Sequence, residues 1–238
     1  MEPYFNRRNT ASAIRGQLNA RGFTLIEMLV VLAIIVVITT IALSGQSVFN
    51  RSLTLTNTAY DVALSIRQAE TYGISSRAYG TSANTGYGIE FSKTTPTSYV
   101  FYADAYPPSG SGSGQCHPTA NPTAPDAKPG NCLYDAQYGG SATELVTQYQ
   151  FGAGITVADF CGIDTTGASH CASASPTDLR SVDIVFVRPN AEAILTAINN
   201  SGSSIPLSNA TLYLTASGAT HCVQVTAVGQ VSVPTNCP

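Results

Sequence analysis

The chain has 238 residues, of which 44% are hydrophobic and only 11% charged, with a net charge of −3, six cysteines and no tryptophan. Its length allows one domain with a real core beside a membrane segment. Its eleven Lys and Arg residues are too sparse to neutralise a phosphate backbone, which argues against nucleic acid as a main partner.

Residues 1–22 read as a basic leader, with Arg7, Arg8, Arg15 and Arg21 all placed before the apolar run that follows. Basic residues on this flank hold it in the cytoplasm and send the C-terminal part outward. Without the leader the chain keeps seven basic and thirteen acidic residues, about six net negative charges. Arg7-Arg8 can be read as a twin-arginine signal, but the apolar run begins far downstream, which weighs against that reading. No Ala-x-Ala site stands just beyond the run, as a secretory signal would need.

The informative stretch is Arg21-Gly22-Phe23-Thr24-Leu25-Ile26-Glu27, which runs straight into an apolar segment ending at Leu43. The segment from Phe23 is about 21 residues long, roughly 31 Å as a helix and enough to span a bilayer. Glu27 is its one charged residue. A carboxylate inside a membrane helix costs on the order of 2.5–3.5 kcal/mol and so calls for a partner. A cut between Gly22 and Phe23 would create that partner, an α-amino group at Phe23. The sequence therefore implies its own processing.

Beyond the apolar run, Leu55, Ala59, Val62, Ile66 and Ala69 recur at three and four residues and form an amphipathic stripe. No proline occurs from Phe23 to Tyr79, so one helix over 24–75 is expected, weakest at Ser44-Gly45. The expected organisation is a leader at 1–22, a membrane half of the helix at 23–45, an amphipathic half at 46–78, and a β domain at 79–238. In that last part the apolar period is two. Strands are expected at 87–91, 99–103, 145–151, 155–160, 182–187, 193–198, 210–216, 222–227 and 230–233, separated by Gly, Pro, Asn and Ser. Turns are expected at Arg188-Pro189-Asn190, at Ser217-Gly218 and around Gly229. The fold class is α+β, an antiparallel sheet packed on the helix stripe. Residues 107–131, from Pro107 to Asn131, are rich in Pro, Gly, Ser, Thr and Asn and read as a long loop.

All six cysteines follow the apolar run, which points to disulfides in an exported domain. Several connectivities are open. Nearest-neighbour pairing (Cys116–Cys132, Cys161–Cys171 and Cys222–Cys237) is preferred because each pair brackets a loop-like segment. Each histidine adjoins a cysteine, at Cys116-His117, His170-Cys171 and His221-Cys222. No tight Cys-x₂₋₄-Cys pair accompanies them, so no metal is expected. Oxidised cysteines do not act as nucleophiles, and nothing local marks a histidine base. Asp159 and Asp164 lack calcium-loop spacing. Tyr99, Tyr102 and Tyr106 have the spacing of strand packing. Neither catalytic residues nor a cofactor are expected.

Gly22-Phe23-Thr24-Leu25-Ile26-Glu27 resembles the class III signal of type IV prepilins and type II secretion pseudopilins. The resemblance implies a pilin-like fold, cleavage after Gly22 by a prepilin peptidase, and N-methylation of Phe23. It implies that Glu27 neutralises the terminal amine of a neighbouring subunit during assembly. Partners would be other pilin or pseudopilin subunits, the prepilin peptidase/methyltransferase, the inner-membrane assembly platform and membrane lipid. The protein would be single-pass, with its C-terminal domain extracytoplasmic, and later part of a filament. Residues 61–73 (DVALSIRQAETYG), the many short strands and the Val-Arg-Pro-Asn turn are similar to the GspH/FimT group, which implies a minor subunit. A FimT-like role in capturing DNA or a surface ligand is the alternative. In that group the C-terminal region is basic, whereas residues 220–238 here hold no Lys or Arg.

Overall fold

The computed structural model describes residues 22–75, 77–80, 85–106, 130–137, 143–152, 154–174 and 179–238. Among the described residues, one helix, α1 (Leu25–Ile74), is followed by ten strands. These are β1 (Gly86–Ser92), β2 (Ser98–Asp104), β3 (Leu145–Gln150), β4 (Thr156–Asp164), β5 (Ser169–Cys171), β6 (Leu179–Phe186), β7 (Ala193–Asn199), β8 (Ser204–Ala216), β9 (Ala219–Thr226) and β10 (Val231–Ser232). Contacts divide the chain into two units, Met1–Gln46 and Ser47–Pro238. The α1 backbone is continuous through Ser44 and Gly45.

Within the larger unit, the stripe of α1 is the centre of the core. Leu55, Ala59, Val62, Ile66 and Ala69 are all fully buried. They meet side chains that alternate along the strands: Tyr87, Ile89 and Phe91 on β1, Phe101 and Ala103 on β2, and Val182, Ile184 and Phe186 on β6. The two periodicities interlock because the helix offers one face every 3.6 residues and the sheet one face every two. Burying each large apolar residue of the stripe contributes about 1.5–3 kcal/mol. Hydrogen bonds fix the helix at four places along the contact. Arg51 Nη1 donates to Ser217 Oγ at 2.8 Å, Thr56 Oγ1 meets His221 Nε2 at 3.2 Å, Ser65 Oγ meets Tyr99 Oη at 2.8 Å, and Arg67 Nη1 donates to the Gly229 carbonyl at 3.0 Å.

Every strand pairing is antiparallel, and the main path runs β10-β9-β8-β7-β6-β1-β2-β3. The sheet branches at the long strand β8. On one edge it carries β7 and β9 end to end, bridged by the Ala193 N–H bonded to the Ala227 carbonyl at 2.9 Å. On its other edge lies β4, which pairs in turn with β5. The β8–β9 hairpin closes on Ser217-Gly218, with φ of 51° and 86°. Two consecutive left-handed residues give the primed turn whose twist matches the strands, and glycine takes the second position without steric cost.

Three expectations change. The strand expected from 210 begins at Ser204, because Pro206 does not interrupt it. Pro206 lies one residue beyond the end of the β4 ladder, where β8 has β7 as its neighbour, an edge position that proline tolerates. The strand expected to end at 160 continues to Asp164, and β5 adds a short strand that the sequence did not announce. Finally, β1, β2 and β6 are buried on both faces rather than one. Val100, Tyr102, Val185 and Val187 form a second apolar cluster there with Cys132, and Tyr134, Leu145 and Ile194 pack against it. Of the expected 107–131 loop, residues 107–129 lie outside the described residues.

Candidate assembly and processing site

The geometry of the N-terminal motif begins with a helix cap. Thr24 stands just before α1, and its Oγ1 accepts the Glu27 N–H at 3.2 Å. The first helical bond runs from the Met28 N–H to the Thr24 carbonyl at 3.2 Å. Thr24-Leu25-Ile26-Glu27 thus has the capping-box pattern, a threonine followed three residues later by a glutamate. The carboxylate of Glu27 sits in the first turn, where the positive end of the helix dipole favours it. Sequence reading singled out Glu27 for its charge and missed Thr24, although the T-x-x-E spacing was legible.

Gly22 and Phe23 precede the helix in irregular, exposed chain, and a Cβ placed on Gly22 would meet no other atom within 4 Å. The Gly22–Phe23 peptide bond is therefore accessible, as a proteolytic site requires. Leu25–Leu43 follows as a 19-residue span with a mean hydropathy of 2.8, long and apolar enough to cross a membrane. Its large side chains face outward, from Val31 at 46% to Leu25 at 84% exposed. The hydroxyls of Thr39 and Thr40 within the span donate to the carbonyls of Ile35 and Val36 at 2.8 and 2.7 Å. Those bonds satisfy the two hydroxyls within the helix itself, as a membrane-crossing helix requires.

Residues 18–43 match the family described as the prokaryotic N-terminal methylation motif. The chain carries a prepilin-type N-terminus. The match supports a type IV pilin-like subunit, and the fold described above, a long helix followed by an antiparallel curled sheet, is that of a pilin-like α+β protein. No curated protein and no solved structure matches the chain.

Two disulfides lie among the described residues. Cys161–Cys171 joins registered partners across β4 and β5, and Cys222–Cys237 ties the C-terminal segment to β9. Tyr213 Oη also donates to the Pro238 carbonyl at 2.9 Å. The partner named for Cys132 is Cys116, which lies outside the described residues.

The histidines are dispersed. His117 is outside the described residues, His221 meets Thr56, and His170 Nε2 lies 3.0 Å from Asp164 Oδ2. Hydrogen bonds from His170 and from the Thr166 hydroxyl hold the Asp164 carboxyl well below the usual range. Asp164 also accepts the Thr166 and Ala168 N–H groups, so it caps the β4–β5 turn. Asp159 approaches Cys161 and Cys171, but those sulfurs are bonded to each other and cannot serve as thiolate ligands. Asp159 instead accepts from the Ser173 N–H and hydroxyl.

The three tyrosines also separate. Tyr99 stacks between Phe91 and Tyr149 on the helix-facing side, with ring centroids 5.3 and 5.1 Å apart. Tyr102 points to the opposite face, and Tyr106 lies beyond β2. A groove of about 430 Å³ opens between α1 and β3, lined by Asp61, Ser65, Gln68, Tyr99, Tyr149 and Phe151 among others.

Proposed function

We propose that this chain is a structural subunit of a type IV pilus-like or type II secretion filament, in a minor rather than a bulk role. The carrying observation is the capped helix start, with an accessible Gly22–Phe23 bond and a lone Glu27 heading an outward-facing apolar span. A prepilin peptidase cuts after Gly22 and N-methylates Phe23. The span then holds the subunit in the inner membrane, with the sheet domain outside, until the assembly platform extracts it. During extraction the Glu27 carboxylate pairs with the amine of a neighbouring subunit, which offsets the cost of a charge in the apolar layer. The chain performs no catalysis of its own. The two stapled segments, β4–β5 and the C-terminus, suit a domain working outside the cell. Similarity of residues 61–73 to the GspH/FimT group supports the minor role. Capture of DNA finds less support, because residues 220–238 hold no Lys or Arg.

Mass spectrometry of the membrane-extracted protein tests this reading. The expected N-terminal peptide begins at Phe23 and carries one added methyl group. An intact leader, or a cut beyond Leu43, would refute it.

A further inference from the structure

On the face of the sheet away from α1, the segment 130–137 crosses β2 and β6 as a strap, and buried carboxyls hold it there. Asp104 Oδ1 accepts the Asn131 N–H and Oδ2 the Cys132 N–H, both at 2.9 Å. Asp183 Oδ1 accepts the Tyr134 N–H at 3.0 Å and the Tyr102 hydroxyl at 3.0 Å. Glu144 Oε2 accepts the Asp135 N–H at 2.8 Å, while its Oε1 takes the N–H groups of Ala105 and Tyr106, both at 2.7 Å. Four of the strap's successive N–H groups therefore end on three carboxyls, and the fifth, that of Leu133, ends on the Asn131 side chain at 3.0 Å. Asp104 and Glu144 are fully buried and Asp183 is 1% exposed. The Tyr134 ring packs on Tyr102 with centroids 5.4 Å apart.

This arrangement stores a conflict. Asp183 on β6 is registered directly opposite Glu90 on β1, and Glu144 acts on Asp104 across the strap's other end. Like charges directly opposite each other in a sheet repel, and burial removes the water that would screen them. Among the described residues, the groups facing this cluster are Glu90 from β1, Tyr102 and Asp104 from β2, Tyr134 and Asp135 from the strap, Glu144 before β3, and Asp183 and Arg180 from β6, with Tyr79 alongside.

We propose that the strap 130–137 is an acid-closed latch, seated on the sheet while the carboxyls beneath it hold protons and released as they ionise. Burial pushes Glu144 up to about 7, against the pull of the N–H groups it accepts. Burial likewise brings Glu90 up to about 7 although Arg180 opposes it. Burial and the facing carboxylates raise Asp104 and Asp183 well above the usual range. A released strap returns these groups to water, where such carboxyls titrate near about 4. The closed state therefore binds more protons. Its advantage is complete below about pH 4 and disappears as pH rises through about 7. Among the described residues, the β8–β9 ladder contributes no carboxyl to the cluster, so release is local.

Hydrogen–deuterium exchange of the full-length protein in detergent micelles, read by mass spectrometry at about pH 5 and about pH 8.5, tests the latch. After correction for intrinsic exchange rates, protection of the amides at 131–135 should fall tens of fold at the higher pH, from the Glu144 linkage alone. Amides of β8 and β9 should keep theirs. Glu144→Gln, which cannot ionise, should flatten this pH dependence at least tenfold. Where that variant loses protection in β8 and β9 as well, Asp183→Asn provides the same reading. Equal or greater strap protection at the higher pH overturns the latch. So does loss of protection throughout the domain, or an unchanged pH slope in both variants.

Discussion

Gly73 gives the sharpest test of how α1 meets the sheet, because local and tertiary reasoning predict opposite signs. It lies in the last turn of α1, where an alanine in place of glycine would ordinarily gain up to about 1 kcal/mol. In this fold a Cβ at position 73 would collide with the Phe186 carbonyl oxygen and lie 2.7 Å from its carbon and 3.1 Å from the Phe186 Cβ. The obstacle is β6 backbone held by β1 on one side and β7 on the other, so it cannot turn aside as a flexible side chain would. Overpacking of this kind costs about 1–3 kcal/mol, and a backbone neighbour places it at the upper end. Subtracting the propensity gain leaves Gly73→Ala destabilised by about 2 kcal/mol. For a domain of this size that lowers the melting temperature by roughly 4–8 °C. Gly152→Ala is the control, since its Cβ would meet Thr54 Cγ2 at 3.8 Å, an ordinary contact. Thermal melts of both variants followed by circular dichroism decide the matter. A Gly73→Ala protein that melts at or above the parent temperature refutes the close approach of α1 to β6.

Two further outcomes are expected. Replacing Cys222 and Cys237 by serine removes a bridge spanning 15 residues, which is worth about 3 kcal/mol, and should lower the melting temperature by roughly 6–12 °C; an unchanged melt would show that the bridge does not constrain the unfolded chain. Glu27→Gln removes the one charge in the apolar span, so membrane retention should hold while incorporation into sheared filaments falls at least tenfold; normal incorporation would remove Glu27 from the assembly step.

The amino-acid sequence determined α1 almost to the residue, because its signals are local. The apolar span to Leu43, charged only at Glu27, and the stripe from Leu55 to Ala69 each need only neighbours within two turns, as does the Thr24 cap that the spacing also held. The Glu27 anomaly and the alternating strands were legible for the same reason. The hairpin partners across the three expected turns were legible too, but the long-range pairings were not, since they depend on residues far apart in the chain, as in Asp164 opposite Leu207. The start of β8 at Ser204 was not legible, because the tolerance of Pro206 depends on which β8 neighbour is present at that residue. Least visible were Asp104, Glu144 and Asp183, three carboxylates in segments that otherwise read as strand and strand end. Along the chain they resemble solvated acids. Only the strap folding back over β2 and β6 buries them, and only burial turns ordinary carboxyls into groups whose charge the fold resists.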